Sequence, residues 1–180
     1  IFIYNIYAGS YDYEVAKRAA VNGYVGVAVN TRGKRLSNNE ILPFEFDGKD
    51  SYQIIDWISK HKWCNGDIGM MGGSYLGFSQ WSATKKLHPA LKTIVPQVSQ
   101  WINYVRNNKF TDELEFASSE YEKAYDEYYL KGFAFNKLDS ILNKGDNKIF
   151  QRWLKHPSYD RYWQDMVPYK DEFKNINIPV

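Results

Sequence analysis

The first hundred residues switch repeatedly between two hydrophobic periods. Short unbroken apolar runs stand at Ile1 to Tyr7, Tyr24 to Val29, Ile68 to Met71 and Leu91 to Val95. Such runs, bounded by turn residues, suit strands buried on both faces of a parallel sheet. Between them apolar residues return at helical spacing. Tyr13 to Val21 reads as a helix stopped by Asn22-Gly23. Lys49 to His61 reads as a second helix, with Tyr52, Ile55 and Ile58 on one side, and Phe78 to Leu87 as a third. Thr31 to Asp47 is polar, contains Gly33 and Pro43, and reads as a long loop. Pro96 is expected to end the last strand. Strands alternating with helices predict an α/β fold whose parallel sheet gathers its functional groups in loops at the carboxyl ends of the strands.

The second half changes character. No clear strand occurs from Trp101 to Trp163, whereas Glu113 to Lys131, Phe135 to Leu142 and Phe150 to Lys155 read as helices. His156-Pro157 closes that stretch, because the residue before a proline is biased away from helix. Ile176 to Val180 then reads as the beginning of another strand. The expected division is a core from 1 to 100, a helical cap from 101 to 173, and the start of a returning core strand from 174 to 180. A separate helical domain is the competing reading of the middle stretch. The strand-like ends, without an initiator methionine or a signal peptide, read as a segment of a longer chain.

Composition narrows the function classes. The net charge of +2 comes from scattered Lys and Arg, which argues against a nucleic-acid partner. No apolar run reaches membrane-spanning length. The single cysteine, Cys64, excludes an internal disulfide and fits a reducing, cytoplasmic compartment. No His, Cys and acid cluster has metal-ligand spacing, so no metal or organic cofactor is expected. Aromatic residues make up 17% of the chain, enough to line a substrate pocket or an interface between copies in a homo-oligomer, although aromatic core packing explains many such cases.

The chemistry is concentrated in Gly72-Gly73-Ser74-Tyr75-Leu76-Gly77, between a strand-like and a helix-like run. A serine at a sharp strand-to-helix turn exposes its hydroxyl above a sheet, and glycines around it avoid Cβ clashes. Ser74 is therefore the candidate nucleophile. Its elbow departs from G-x-S-x-G in carrying the last glycine one place late. The backbone N–H of Tyr75 follows the serine and opens a helix, so it is a candidate oxyanion donor. Trp101 and Tyr104 follow the strand ending at Pro96 and are candidates for the acyl pocket, with core packing as the alternative.

The same segment, preceded by Trp63-Cys64-Asn65-Gly66-Asp67-Ile68-Gly69-Met70, resembles the elbow of the CocE/NonD hydrolases, relatives of the X-Pro dipeptidyl-peptidases within the α/β-hydrolase superfamily. That family favours G-x-S-Y-x-G, which matches the late glycine. Asn30-Thr31-Arg32-Gly33 resembles its D-x-R-G segment, with Asn30 where an acid is common. Asn5-Ile6-Tyr7 resembles its N-P-Y segment, with Ile6 in place of proline. Lys34-Arg35-Leu36 replaces a glycine-rich continuation. Trp153-Leu154-Lys155-His156-Pro157 and Tyr162-Trp163 resemble the end of its cap.

The resemblance implies a serine esterase or peptidase acting on a small ester, amide or peptide through an acyl-enzyme. It also implies that the hydroxyl of Tyr7 is the second oxyanion donor. A serine nucleophile needs a histidine base and an orienting acid, in the chain order serine, acid, histidine. His61 precedes Ser74, and His88 lies fourteen residues further on, ~20 Å away if all were helix. His156 has the right order but stands at a helix end before a proline. The resemblance places the acid and the histidine beyond Val180. Arg32 reads as half of a structural ion pair, and Glu113, Glu115, Glu120 and Glu122 as a solvated helix face. A non-catalytic module that binds a ligand or partner is the reading from another class.

Overall fold

The computed structural model describes residues 1–99, 132, 148–156 and 158–180. The chain divides into two compact units, one of Ile1–Gln100 with Gln164–Val180 and one of Trp101–Trp163. In the first unit β1 (Phe2–Asn5), α1 (Tyr11–Val21), β2 (Val27–Asn30), α2 (Asp47–Ser59), β3 (Ile68–Ser74), α3 (Tyr75–Thr84) and β4 (Leu91–Ser99) follow in order. The four strands form one parallel sheet in the order β2-β1-β3-β4. Every residue of β1 is buried, as expected of a strand paired on both sides. Phe2, Tyr4, Ile68, Met70, Leu91 and Ile94 from the sheet pack with Ile55 and Ile58 of α2 and Ala83 of α3.

Several boundaries differ from those the hydrophobic pattern predicts. The second strand begins at Val27 rather than Tyr24, because the chain passes directly beneath α1. A Cβ on Gly26 would lie 2.5 Å from the Cα of Ala16. The third strand runs through both glycines to Ser74, and α3 begins at Tyr75, three residues before the expected Phe78. Strand and helix therefore abut, with the serine at the join. β4 continues past Pro96 to Ser99. Among the described residues it lies at the sheet edge, where a proline need not interrupt the ladder.

A 3-10 turn spans Lys170–Asn175. Beyond it Ile176 to Val180 joins no strand, but the carbonyl of Pro179 accepts the N–H of Ile94 at 3.2 Å and the hydroxyl of Thr93 at 3.1 Å. Ile178 packs against the core cluster. In the second unit α4 (Lys148–Leu154) and α5, which opens at Arg161 and ends at Gln164, carry Trp153 and Trp163 with ring centroids 6.1 Å apart. The helices expected at Glu113 to Lys131 and Phe135 to Leu142 lie outside the described residues. Among the described residues no helix is long and apolar enough to cross a membrane.

Candidate active site

Ser74 is held at φ 55° and ψ −122°, a backbone region that costs a non-glycine residue on the order of 1–3 kcal/mol. The strain persists because the flanks are fixed. Gly72, at φ 138°, has no room for a Cβ, which would stand 2.7 Å from that of Leu76. The late glycine has a packing reason as well: a Cβ on Gly77 would meet the Cα of Ser99 at 2.9 Å, so α3 lies against the end of β4. Gln80, fully buried, binds this assembly together. Its Nε2 donates to the carbonyls of Gly72 at 3.1 Å and Leu76 at 2.8 Å, and its Oε1 accepts the N–H of Val95 at 2.8 Å. Ser79 adds a tie to β1 through the carbonyl of Tyr4 at 3.2 Å.

Tyr7 stands just past the carboxyl end of β1, the strand beside β3. Its hydroxyl lies 3.2 Å from Oγ of Ser74. The side chain is 51% exposed, so this phenol faces solvent and is not an aromatic packed into the sheet. The turn that carries it is built locally. Asn5 Oδ1 accepts the N–H of Tyr7 at 2.9 Å, an Asx turn. Ala8 follows at φ 51°, and the Arg35 guanidinium donates to the carbonyls of Ala8 at 3.1 Å and Gly9 at 3.4 Å.

Tyr75 opens α3, where the first N–H groups have no acceptor within the helix. Its side chain points the other way and is completely buried. The ring stacks on Phe44 with centroids 5.0 Å apart, and the hydroxyl accepts the N–H of Phe44 at 3.0 Å while donating to Asp47. Burial, and next the Asp47 charge, push the Tyr75 hydroxyl well above its ordinary range. Burial raises the Asp47 carboxyl from 3.8 to about 7, against the lowering effect of the Tyr75 hydrogen bond. Beside it Arg32 grips Asp50, with Nε 2.8 Å from Oδ2 and Nη2 on Oδ1. The hydroxyl of Tyr4 donates to the same carboxylate at 2.9 Å. Arg32 is thus engaged in a structural ion pair beneath the loops, as the sequence leads one to expect.

Neither His61 nor His88 is placed as a base for Ser74. His61 stacks on Trp63 with centroids 5.0 Å apart, and His88 accepts the N–H of Ala90 at Nδ1 while Nε2 faces Asp56 at 3.7 Å. In the second unit, His156 Nδ1 is 2.7 Å from Asp160 Oδ2 and its ring stacks on Tyr162. Trp101, Tyr104 and the four glutamates from Glu113 to Glu122 lie outside the described residues. Among the described residues no group of three or more His, Cys, Asp or Glu could hold a metal ion.

Sequence reading passed over Gln80, Asp47 and the link from Asn5 to Asp12. Gln80 did leave a signal, the one amide in a helix otherwise made of aromatic, aliphatic, small and hydroxyl residues. Asn5 stands at Asx-turn spacing from Tyr7. Nothing local marks Asp47, because its partner is an aromatic hydroxyl on another element.

A parallel sheet with a strained serine between strand and helix defines an α/β-hydrolase-type core. Residues 4–180 match the X-Pro dipeptidyl-peptidase (S15) family throughout, and the chain belongs to that family. It is 38% identical over 78 residues to cocaine esterase from Rhodococcus sp. (strain MB1 Bresler), a match covering 43% of this chain and 14% of the esterase. It is 44% identical over 115 residues to Xaa-Pro dipeptidyl-peptidase of Lactobacillus helveticus (strain DPC 4571), covering 54% of this chain and 14% of that enzyme. The solved structure of an α-amino acid ester hydrolase superposes with a TM-score of 0.59 at 20% identity, over 85% of this chain and 30% of its own, and so shares the fold. The matched stretches are thus a small part of each relative.

Proposed function

We propose that the protein is a serine hydrolase cleaving ester or amide bonds through an acyl-enzyme on Ser74. One observation carries the reading: a serine oxygen at a strained elbow, 3.2 Å from the hydroxyl of Tyr7. Attack of Ser74 Oγ on a carbonyl carbon sends the π electrons onto oxygen, while the serine proton passes to a histidine base. The backbone N–H of Tyr75 and the hydroxyl of Tyr7 hold the oxyanion, each contributing a few kcal/mol of transition-state stabilisation. Collapse expels the alcohol or amine, which takes the proton from the histidine, and water then frees the acid. The histidine and its carboxylate are proposed to come from outside residues 1–180. Membership of the S15 family and the named esterase and peptidase relatives support the same reading.

A fluorophosphonate probe on the intact polypeptide tests this. Covalent labelling at Ser74 that disappears in Ser74→Ala is expected. A folded intact protein that resists the probe sinks the proposal and leaves a ligand-binding role. Comparing a simple acyl ester with an Xaa-Pro anilide then separates esterase from dipeptidyl-peptidase.

A further inference from the structure

We infer that Asp12, together with Asn30, is a positioning residue for the Tyr7 hydroxyl. The inference rests on the proposed role of Tyr7 as an oxyanion donor. Asp12 sits in the first turn of α1 and is 9% exposed, whereas Asn5 at the end of β1 is fully buried. Asn5 Nδ2 donates to Asp12 Oδ1 at 2.5 Å, and Asn30 Nδ2, from the end of β2, donates to Asp12 Oδ2 at 2.7 Å. Three elements therefore meet on one carboxylate.

The chemistry of that carboxylate has a directional consequence. An ionised carboxylate only accepts hydrogen bonds, so the amide of Asn5 must present its NH2 to Asp12. Its oxygen is then aimed at the N–H of Tyr7, the 2.9 Å bond that closes the turn. A neutral amide at position 12 would permit the Asn5 amide to flip, turning an NH2 toward the N–H of Tyr7 and breaking the turn. The Tyr7 residue is half exposed and its ring meets that of Tyr75 edge-on, with centroids 6.3 Å apart, so the turn sets where along that contact the hydroxyl stands. The residue at position 30 follows the same logic. An acid there would set carboxylate against carboxylate across Asp12, whereas asparagine supplies the missing donor.

The test uses the intact enzyme, with fluorophosphonate labelling of Ser74 and ester kcat/KM as rates, and urea unfolding as the control. Asp12→Asn is expected to slow both rates roughly tenfold or more, approaching the loss caused by Tyr7→Phe. The decisive measurement is the double variant: in the Tyr7→Phe background Asp12→Asn should have almost no further effect on rate. Asn30→Asp should slow the enzyme similarly, and the exchanged pair Asn30→Asp with Asp12→Asn should recover most of the rate, because one carboxylate and one amide again face each other.

Full and independent rate losses from Asp12→Asn and Tyr7→Phe would overturn the inference, as would wild-type rates in a folded Asp12→Asn protein. If Asp12→Asn does not fold, failure of the exchanged pair to rescue Asn30→Asp overturns it instead. Failure of the enzyme reading itself shows separately, as an unlabelled Ser74 in the unmodified protein.

Discussion

The N–H of Phe44 donates to the hydroxyl of Tyr75 at 3.0 Å, and the two rings stack 5.0 Å apart. This contact fastens the long loop before α2 to the residue that follows the candidate nucleophile. Phe44 takes φ 70°, uncommon for an aromatic residue, and is 1% exposed. The loop thus carries local strain that the contact with Tyr75 offsets.

Replacing Tyr75 with phenylalanine keeps the ring and the backbone N–H but removes the hydroxyl. The Phe44 N–H then loses its acceptor in a buried site, and Asp47 loses its donor. A destabilisation of about 1–3 kcal/mol is expected, read as a lower urea midpoint with an unchanged slope.

Asp47 confers a pH dependence of stability. It is 2% exposed, and its Oδ2 has no hydrogen-bond partner among the described residues. Tyr75 donates to it, Asp50 adds like charge and Arg32 opposite charge, yet burial dominates and lifts the carboxyl from 3.8 to about 7. Between these values the folded state holds a proton that the unfolded state has released. Stability contributed by this group is therefore full below 3.8 and is lost as pH rises to about 7, with a slope near ~1.4 kcal/mol per pH unit. Unfolding midpoints measured across that range should lose this component of their slope in Asp47→Asn, which should also be the more stable protein at pH 8.

Tyr7→Phe separates function from stability. The side chain is 51% exposed, so urea unfolding should change by less than ~0.5 kcal/mol. In the intact protein, loss of the proposed oxyanion donor should lower kcat/KM on the order of a hundredfold. Steady-state kinetics beside unfolding curves checks both outcomes, and an equal loss of both would point to a merely structural phenol.

Gly77→Ala brings a Cβ to 2.9 Å from the Cα of Ser99, a backbone atom that cannot swing aside. Overpacking of this kind costs about 1–3 kcal/mol. Because the helix must retreat from β4, labelling of Ser74 by a fluorophosphonate should also slow. Gly9→Ala, with nothing within 4 Å of its new Cβ, is the matched control on the Tyr7 loop.

Much of this arrangement is legible one segment at a time. The alternation of apolar runs and helical spacing announces the parallel sheet, since each strand and helix must bury its own face whatever its neighbours. The glycines around Ser74 mark the elbow, because only a chain bent that sharply needs so many missing side chains. Where the reading fell short, a distant element had intervened. Pro96 does not stop β4, because among the described residues the strand lies at an edge of the sheet. Ile176 to Val180 contributes a carbonyl and an apolar side chain without joining the ladder.

By itself the sequence determined the fold class and the serine elbow, both of which depend on residues close along the chain. Only the tertiary structure decided that the hydroxyls of Tyr7 and Ser74 meet across 67 residues, and that Asp12 and Asp47 stand behind the two halves of the site. Those contacts follow from β1 lying between β2 and β3, with Asp12 of α1 bonded to Asn5 of β1 and Asp47 of α2 bonded to Tyr75 of α3. Hydrogen bonds between separate elements leave no periodic trace, because their partners are chosen by packing in space rather than by spacing along the chain.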